Sequence, residues 1–175
     1  DVLDLITDKY KTYKKLEENG VRVPEYKLVN STEELKSAIY AFGYPSVTVI
    51  CKPTDGRGGR GLYVFEGIDE PPAWLGEGQR EKRIPTQDMT DDLLSQVIQG
   101  DVLVMPALSA PAYDADVVVN KGKTKLVVVR ERVNPAGIPF KGNKVHADKL
   151  MTDYCYDIAT ILGLDGIHDI DLMTN

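Results

Sequence analysis

The stretch VTVICKPTDGRGGRGLYVF, residues 47–65, decides the fold class of this chain. It predicts a β-branched buried strand from Val47 to Cys51, a glycine-rich loop from Asp55 to Gly61 and a second strand from Leu62 to Phe65. The loop has the spacing G-x-G-x-x-G, but a strand follows it, whereas a dinucleotide-binding loop opens a helix. The Gly-Lys-Ser/Thr ending of a P-loop is also absent. The pattern therefore predicts a flexible hairpin.

The hairpin carries the residue types that bind a polyphosphate. Lys52 ends the first strand, where its ammonium group can reach a phosphate, and Arg57 and Arg60 add two cations to the loop. Successive backbone N–H groups of a glycine-rich loop can also surround phosphate oxygens. The alternative is an exposed hairpin with solubilising arginines. That alternative explains less, because Gly56, Gly58, Gly59 and Gly61 raise the entropy cost of ordering the loop.

The remaining elements alternate irregularly along the chain. Helices are predicted over Asp8–Glu18, Ser31–Phe42, Thr90–Ile98 and Ala147–Leu162, the second with Ser31 and Glu34 at capping-box spacing. Strands are predicted over Tyr26–Val29, Val102–Met105 before Pro106, and Gly166–Met173, and a hairpin joins Ala115–Val119 to Thr124–Arg132 through Asn120-Lys121-Gly122-Lys123. Residues 66–86 and 134–143 are predicted to be irregular. This order favours an α+β fold over a doubly wound parallel sheet.

Composition narrows the class of protein. The net charge of −6 and the pI of about 5.0 argue against sequence-independent binding of nucleic acid. No apolar run approaches the roughly 20 residues that span a bilayer, and no signal-like segment begins the chain. Cys51 and Cys155 form no CxxC pair and no metal-binding spacing. Either the protein is cytoplasmic, which we expect, or an upstream piece is missing. We expect small-molecule substrates, and the sequence leaves open whether the protein forms a homo-oligomer.

Six motifs in register resemble the ATP-grasp superfamily, and in particular its carbamoyl-phosphate-synthase-like and biotin-carboxylase-like members. They are Asp8-Lys9-Tyr10 with Gly20 and Pro24, Tyr44-Pro45 through Lys52-Pro53, Val102–Leu108, Leu108–Asp116, Val129–Arg132 and Gly163–Met173. The resemblance implies an ATP-grasp fold, with two small α+β subdomains and the nucleotide between them. It places the first subdomain at residues 1–100, including the phosphate loop 55–61. The second, at residues 101–175, is expected to be truncated at its C-terminal end.

The resemblance also implies a set of site residues for ATP and Mg²⁺. Lys9 and Lys52 would contact the phosphates, which Gly56, Arg57, Gly58, Gly59, Arg60 and Gly61 would cover, and Met105, Pro106, Ala107 and Leu108 would hold the adenine. Asp171 would help to bind Mg²⁺, and Arg130 or Arg132 would lie near the acyl phosphate or the acceptor. Asp114 would replace the acidic residue near the ribose, where this chain has Ala112. On the residues alone, Arg130 and Arg132 could equally be a charged strand end.

The implied reaction transfers a phosphoryl group from ATP to a carboxylate or bicarbonate, and an amine, ammonia or another nucleophile then attacks the acyl phosphate. The family's E-x-N metal motif would lie about 10–15 residues beyond Asp171, so we expect a fragment that is inactive alone. The alternative is a nucleotide-binding or interaction module that has lost the chemistry, which Pro106 and Ala112 favour. A protein kinase would need H-R-D and D-F-G motifs, which are absent.

Overall fold

The chain folds into two compact units. The computed structural model describes residues 1–56, 60–68, 81–133 and 142–173, and for Gln87 the backbone alone. Pro24–Leu108 form one unit, which we call the continuous unit. Asp1–Val23 and Ser109–Asn175 together form the other, which we call the discontinuous unit. Within the described residues, no helix has the length and apolar character needed to cross a membrane.

The described segments contain five α-helices and nine strands. The helices are α1 Val2–Thr7, α2 Lys9–Glu18, α3 Thr32–Ala41, α4 Asp91–Val97 and α5 Lys149–Ile161, with a 3₁₀ turn at Thr86–Asp88. The strands are β1 Lys27–Val29, β2 Val49–Pro53, β3 Tyr63–Phe65, β4 Lys82–Ile84, β5 Val102–Pro106, β6 Ala112–Asn120, β7 Lys123–Arg132, β8 Asn143–Val145 and β9 Gly166–Met173.

The continuous unit is a five-stranded sheet with α3 and α4 on one face. The strand order is β1-β5-β2-β3-β4, and all neighbours are antiparallel except β3 and β4. Because side chains alternate along a strand, Val49 and Cys51 of β2 enter the core beneath the helices, while Ile50 and Lys52 belong to the opposite face. That core buries Leu35 of α3 completely. The opposite face carries a second apolar cluster built on Ile50, Val64 and Met105.

The discontinuous unit is a four-stranded antiparallel sheet in the order β8-β7-β6-β9, covered on one face by helices. The covered face packs Ala115 and Val117 of β6 against Cys155 and Ile158 of α5, and α2 contributes Leu16. Helix α5 begins at its N-cap Asp148, whose side chain accepts a hydrogen bond from the Met151 amide at 2.9 Å, and α2 begins in the same way at Asp8. The other face of this sheet is charged.

Most predicted elements are confirmed, and several differ in detail. Strand β9 has the predicted bounds, and the four predicted helices form with ends within about two residues of expectation, the scatter typical of helix assignments. Ser31 caps α3, but Glu34 Oε2 accepts from the amide of Asn30, at 3.1 Å, so the capping box is only half formed. The β6–β7 connection is a two-residue turn with Lys121 and Gly122 at φ 53° and 69°, and not the four residues expected.

Other features were missed or misplaced by the sequence. Helix α1 and the short strands β4 and β8 were not predicted, and β5 includes Pro106, which was expected to stop it. Pro106 pairs with Val49 at the last position of β5, where the ladder can end without its missing N–H. The expected subdomain boundary at residues 100/101 also differs from the division found, because β5 lies between β1 and β2 in the continuous unit, while α2 packs with α5.

Candidate functional site

The face of the four-stranded sheet opposite its helices concentrates charged side chains from three strands. Residues two apart on a strand share a face, so this face carries an Asp-x-Asp pair on β6, an Arg-x-Arg pair on β7 and a second Asp-x-Asp pair on β9. The pairs are Asp114 and Asp116, Arg130 and Arg132, and Asp169 and Asp171. The strand register sets Asp114 between Arg130 and Asp171, and sets Asp116 opposite Asp169.

Arg132 joins the buried and the exposed carboxylates of this face. Its Nε donates to both carboxylate oxygens of Asp114, at 2.9 and 3.0 Å, and its Nη2 contacts Asp114 as well as Asp171. The Asp114 side chain is only 5% exposed, whereas that of Asp171 is 77% exposed. Asp114 therefore meets a guanidinium in a forked, two-point contact, which gives charge-assisted hydrogen bonds a fixed orientation.

Arg130 makes a second, separate pair on the same face. Its Nη2 donates to Asp116 Oδ1 at 2.8 Å, and its Nε lies 2.7 Å from Asp116 Oδ2. The distance from Arg130 Nη2 to the nearest Asp169 oxygen is 3.9 Å, so this second carboxylate is held much less closely. The two arginines thus pair with different carboxylates. Arg132 contacts Asp114 and Asp171, and Arg130 contacts mainly Asp116.

The environment moves the carboxyl pKa values in opposite directions. Burial alone would raise the pKa of Asp114, but the hydrogen bonds and charge of Arg132 outweigh it and hold that pKa below the ordinary 3.8. Desolvation raises the pKa of Asp169, and the neighbouring charges of Asp114 and Asp116 raise it further. Asp114 therefore stays ionised more firmly than Asp169.

The donor set of this face fits a hard divalent cation. Asp114, Asp169 and Asp171 each place one carboxylate oxygen within 4.8 Å of the others, and oxygen ligands are those that Mg²⁺ takes. The guanidinium of Arg132, itself a cation, already contacts two of the three. Asp171 and Asp169 are exposed, whereas both oxygens of the buried Asp114 accept from Arg132.

Lys52 and Met105, two of the residues predicted to bind the nucleotide, lie on one face of the five-stranded sheet, whereas Pro106 pairs with Val49 of the helix-side core. Ile50 pairs with Met105 in the β2–β5 register, and Lys52 is two positions further along β2. Ala107 and Leu108 pack against the same apolar cluster as Met105. The Ala107 amide donates to Thr48 O at 2.9 Å, which fixes the chain just beyond Pro106. Lys52 thus shares a face with Met105, and with the apolar cluster that Ala107 and Leu108 pack against.

The ends of the glycine-rich loop fold closely over Pro53. A Cβ added to Gly56 would lie 2.7 Å from Pro53 Cγ and 3.0 Å from Arg60 O. Gly61 has a φ of +72°, and a Cβ there would lie 3.1 Å from the same Pro53 atom. Two of the loop glycines are therefore required by packing and backbone conformation. Arg57, Gly58 and Gly59 lie outside the described residues, so the predicted phosphate cover stays a prediction.

Other predicted site residues are distributed over the two units. Lys9 is the first residue of α2, immediately after the N-cap Asp8, in the discontinuous unit. Asp171 lies with Arg132 as described, and the predicted roles of Lys9, Asp114 and the two arginines stay predictions. Asp116 and Asp169 belong to the charged face although neither was predicted as a site residue. The signal that could have found them is their spacing, two residues from Asp114 and from Asp171.

Comparison with known proteins shows the family. A family model described as an ATP-grasp domain matches residues 6–175, so the chain belongs to the ATP-grasp family and the resemblance to that superfamily is confirmed. The closer likeness to its carbamoyl-phosphate-synthase-like and biotin-carboxylase-like members stays a prediction. Comparison with curated proteins gave no significant sequence match.

Solved structures show the same mixed α+β fold. N5-carboxyaminoimidazole ribonucleotide synthetase from Thermotoga maritima is 22% identical at a TM-score of 0.61, and the match covers 98% of this chain and 39% of that one. D-alanine–D-alanine ligase from Bacillus anthracis complexed with ATP is 14% identical at a TM-score of 0.59, and the match covers 98% of this chain and 51% of that one. The ATP-grasp ligase PsnB, complexed with minimal precursor, Mg and ADP, is 16% identical at a TM-score of 0.61, and the match covers 95% of this chain and 44% of that one.

These identities support the fold alone. This chain spans at most 51% of the length of those three proteins.

Proposed function

We propose that this chain is the ATP-binding part of a carboxylate ligase. In the proposed reaction, ATP phosphorylates a carboxylate, and an amine, ammonia or another nucleophile then displaces phosphate from the acyl phosphate. The residue arrangement that supports the proposal most directly is the charged sheet face, where Asp171 and Asp169 lie exposed beside Arg132 and Arg130. A cytoplasmic location is part of the same proposal.

The charged face supplies the two kinds of group that phosphoryl transfer needs. Bound Mg²⁺ would neutralise charge on the phosphate oxygens. Asp171 and Asp169 would hold the ion, because their oxygens are exposed and within 4.8 Å of each other. Arg130 and Arg132 are positioned by carboxylates on the same face, so their orientation is set before any anion arrives. Arginine suits this task because its planar fork matches phosphate and carboxylate oxygens.

The continuous unit supplies the proposed nucleotide contacts. Lys52 would contact the phosphates, and Met105 with its apolar neighbours would hold the adenine, because they share one face of the five-stranded sheet. The loop from Gly56 to Gly61 would cover the phosphates with its backbone N–H groups. Lys9 is the proposed phosphate contact from the discontinuous unit.

The test is whether ATP with Mg²⁺ raises the thermal midpoint of the chain. A ligand that binds the folded state stabilises it by about 2.7 kcal/mol at a hundredfold excess over its Kd. We expect a rise with ATP that NAD does not reproduce and that Lys52→Ala removes. Lys27→Ala is the matched control: Lys27 lies on the same sheet but pairs with Val104, whose side chain enters the helix-side core, so it belongs to the opposite face from Lys52.

Two results would contradict the proposal. One is the absence of any rise at millimolar ATP with Mg²⁺. The other is an equal loss of the rise in Lys52→Ala and Lys27→Ala, because a contact with phosphate belongs to one face of the sheet. Far-UV circular dichroism of both variants establishes that neither substitution unfolds the chain.

A further inference from the structure

Arg132 occupies a position that a bound cation would compete for. Its Nη2 contacts both Asp114 and Asp171, two of the three carboxylates whose oxygens lie within 4.8 Å of one another. A guanidinium and a divalent cation both lower the repulsion among carboxylates, and two cations that share one carboxylate oxygen repel each other. The Arg132–Asp171 contact therefore opposes the binding of a divalent cation by Asp171.

The two contacts of Arg132 differ in strength. The contact to Asp114 uses Nε and Nη2 together, and the Asp114 side chain is almost fully buried, so losing it would leave a buried charge unpaired. The contact to Asp171 uses Nη2 alone, on a side chain that faces solvent, where an ion pair is worth little. A competing cation can displace the second contact while the first remains.

We infer that Arg132 is the resident counter-ion of the carboxylate cluster, anchored by Asp114, and that a divalent cation bound by Asp171 displaces it from Asp171 alone. The inference rests on the proposed function in that the cation is the one assigned there to Asp171. It makes Asp114 a positioning residue for Arg132 and not a contact of the nucleotide. Once displaced, Nη2 of Arg132 is free to meet an anion beside the cation, while Nε stays on Asp114.

Binding of Mn²⁺ alone, followed by the loss of the free-ion signal in electron paramagnetic resonance, tests the competition. Arg132→Gln removes the competing cation, so we expect the Mn²⁺ dissociation constant to fall by about fivefold. Arg130→Gln is the matched control, because it removes the same charge from the same strand face. Arg130 Nη2 lies 3.9 Å from Asp169 Oδ1, and the carboxylate that Arg130 contacts closely is that of Asp116, so we expect a change of less than about twofold.

Three outcomes would overturn the inference. Equal changes in the two variants would show a general charge effect, and weaker binding in Arg132→Gln would show that Arg132 helps the ion. Failure of wild type and Arg132→Gln to bind Mn²⁺ at millimolar concentration would show that the cluster is not a cation site. If ATP with Mg²⁺ still raises the thermal midpoint in a Lys52-dependent way, the inference fails while the proposed function stands.

The wild-type chain gives a second measurement that does not depend on a variant folding. The Nε–Hε signal of Arg132 in ¹⁵N-correlated spectra reports its contact with Asp114 directly. On titration with Mg²⁺ we expect this signal to shift and to remain visible, because the Asp114 contact persists. An unchanged signal, or one lost to exchange with solvent, would contradict the inference.

Discussion

Asp114 is a buried carboxylate whose desolvation is offset chiefly by Arg132. An unpaired charge at that position would be strongly destabilising, and a pair with good geometry offsets the desolvation. Arg132 supplies that geometry through two donors, and its own side chain is only 22% exposed. Asp116 differs because its side chain is 45% exposed. Water can solvate its charge, so the ion pair with Arg130 adds little to the free energy of unfolding.

Replacing Asp114 by asparagine is therefore expected to cost far more than replacing Asp116. We expect Asp114→Asn to lower the free energy of unfolding by about 2 kcal/mol, because it removes the buried carboxylate that meets Arg132 at two points and leaves the exposed Asp171 as its remaining counter-charge. Asp116→Asn is the matched control on the same strand and face, and its cost is expected to stay below about 1 kcal/mol. Urea denaturation followed by circular dichroism measures both. Similar costs for the two variants would contradict this account of the charged face.

The same substitution has a pH signature. The folded pKa of Asp114 is held below 3.8, so its contribution to stability is fully present above that pH and is lost as the pH falls through the folded value. The stability difference between wild type and Asp114→Asn should therefore be constant near neutral pH and shrink below about pH 4. A difference that persists unchanged through strongly acidic pH would mean that the asparagine acts through packing and not through lost charge.

The sequence contains a signal for the charged residues of this face, but none for which of them pair. The spacings D-A-D at 114–116, R-E-R at 130–132 and D-I-D at 169–171 each place two charges on one side of a strand. Which of them meet depends on strand register, and register is set by how β6 pairs with both β7 and β9. The sequence therefore suggested a nucleotide contact for Asp114, and only the structure revealed its contact with Arg132.

At the scale of elements, the return of the chain after β3 depends on one glycine. A Cβ added to Gly67 would lie 2.8 Å from Thr48 N, 2.9 Å from Ser46 O and 2.9 Å from Val47 C, all of them backbone atoms. The Gly67 amide donates to Thr48 Oγ1 at 3.0 Å, which holds the two segments together. Backbone atoms cannot move aside as a flexible side chain would, so only glycine fits this crossing.

We expect Gly67→Ala to destabilise the continuous unit by about 3 kcal/mol, since the added methyl group forces the two backbones apart. Gly122→Ala is the control. It lies in the β6–β7 turn at φ 69° with no atom within 4 Å of the added Cβ, so its cost is conformational alone, about 1 kcal/mol. Urea denaturation measures each. A milder effect at Gly67 than at Gly122 would show that the crossing relaxes easily.

The elements that the sequence predicted are those with long or strongly marked patterns. Helix α2 begins at its N-cap Asp8 and ends at Asn19-Gly20. Strand β9 is eight residues long and begins at Gly166, as the sequence predicts. The strands β4 and β8 have only three residues each, too few for an alternation to be seen, and they form because β3 and β7 offer them a partner. Such strands are set by tertiary pairing and leave no local signal.

At the scale of the whole molecule, each unit has its own sheet and its own apolar core. The core of the continuous unit is built around residues such as Leu35 and Phe65, and that of the discontinuous unit around residues such as Val117 and Ile158. Residues 24–108 form the continuous unit, and the segments before and after them together form the discontinuous unit. The sequence could not show this division, because it depends on β5 joining β1 and β2 across long stretches of chain.

Separate cores imply that a cavity in one unit weakens that unit first. Leu35→Ala truncates a completely buried side chain beneath the five-stranded sheet, and Ile158→Ala truncates a side chain that is 5% exposed beneath the four-stranded sheet. Each is expected to cost about 2–5 kcal/mol. Native-state hydrogen exchange should then show faster exchange in β2 and β5 for Leu35→Ala, and in β6 and β7 for Ile158→Ala, with the other sheet changed much less. Each variant is the control for the other, because the two substitutions remove side-chain atoms of equal number from different units. Equal acceleration in both sheets by either variant would mean that the two units open as one cooperative structure despite their separate cores.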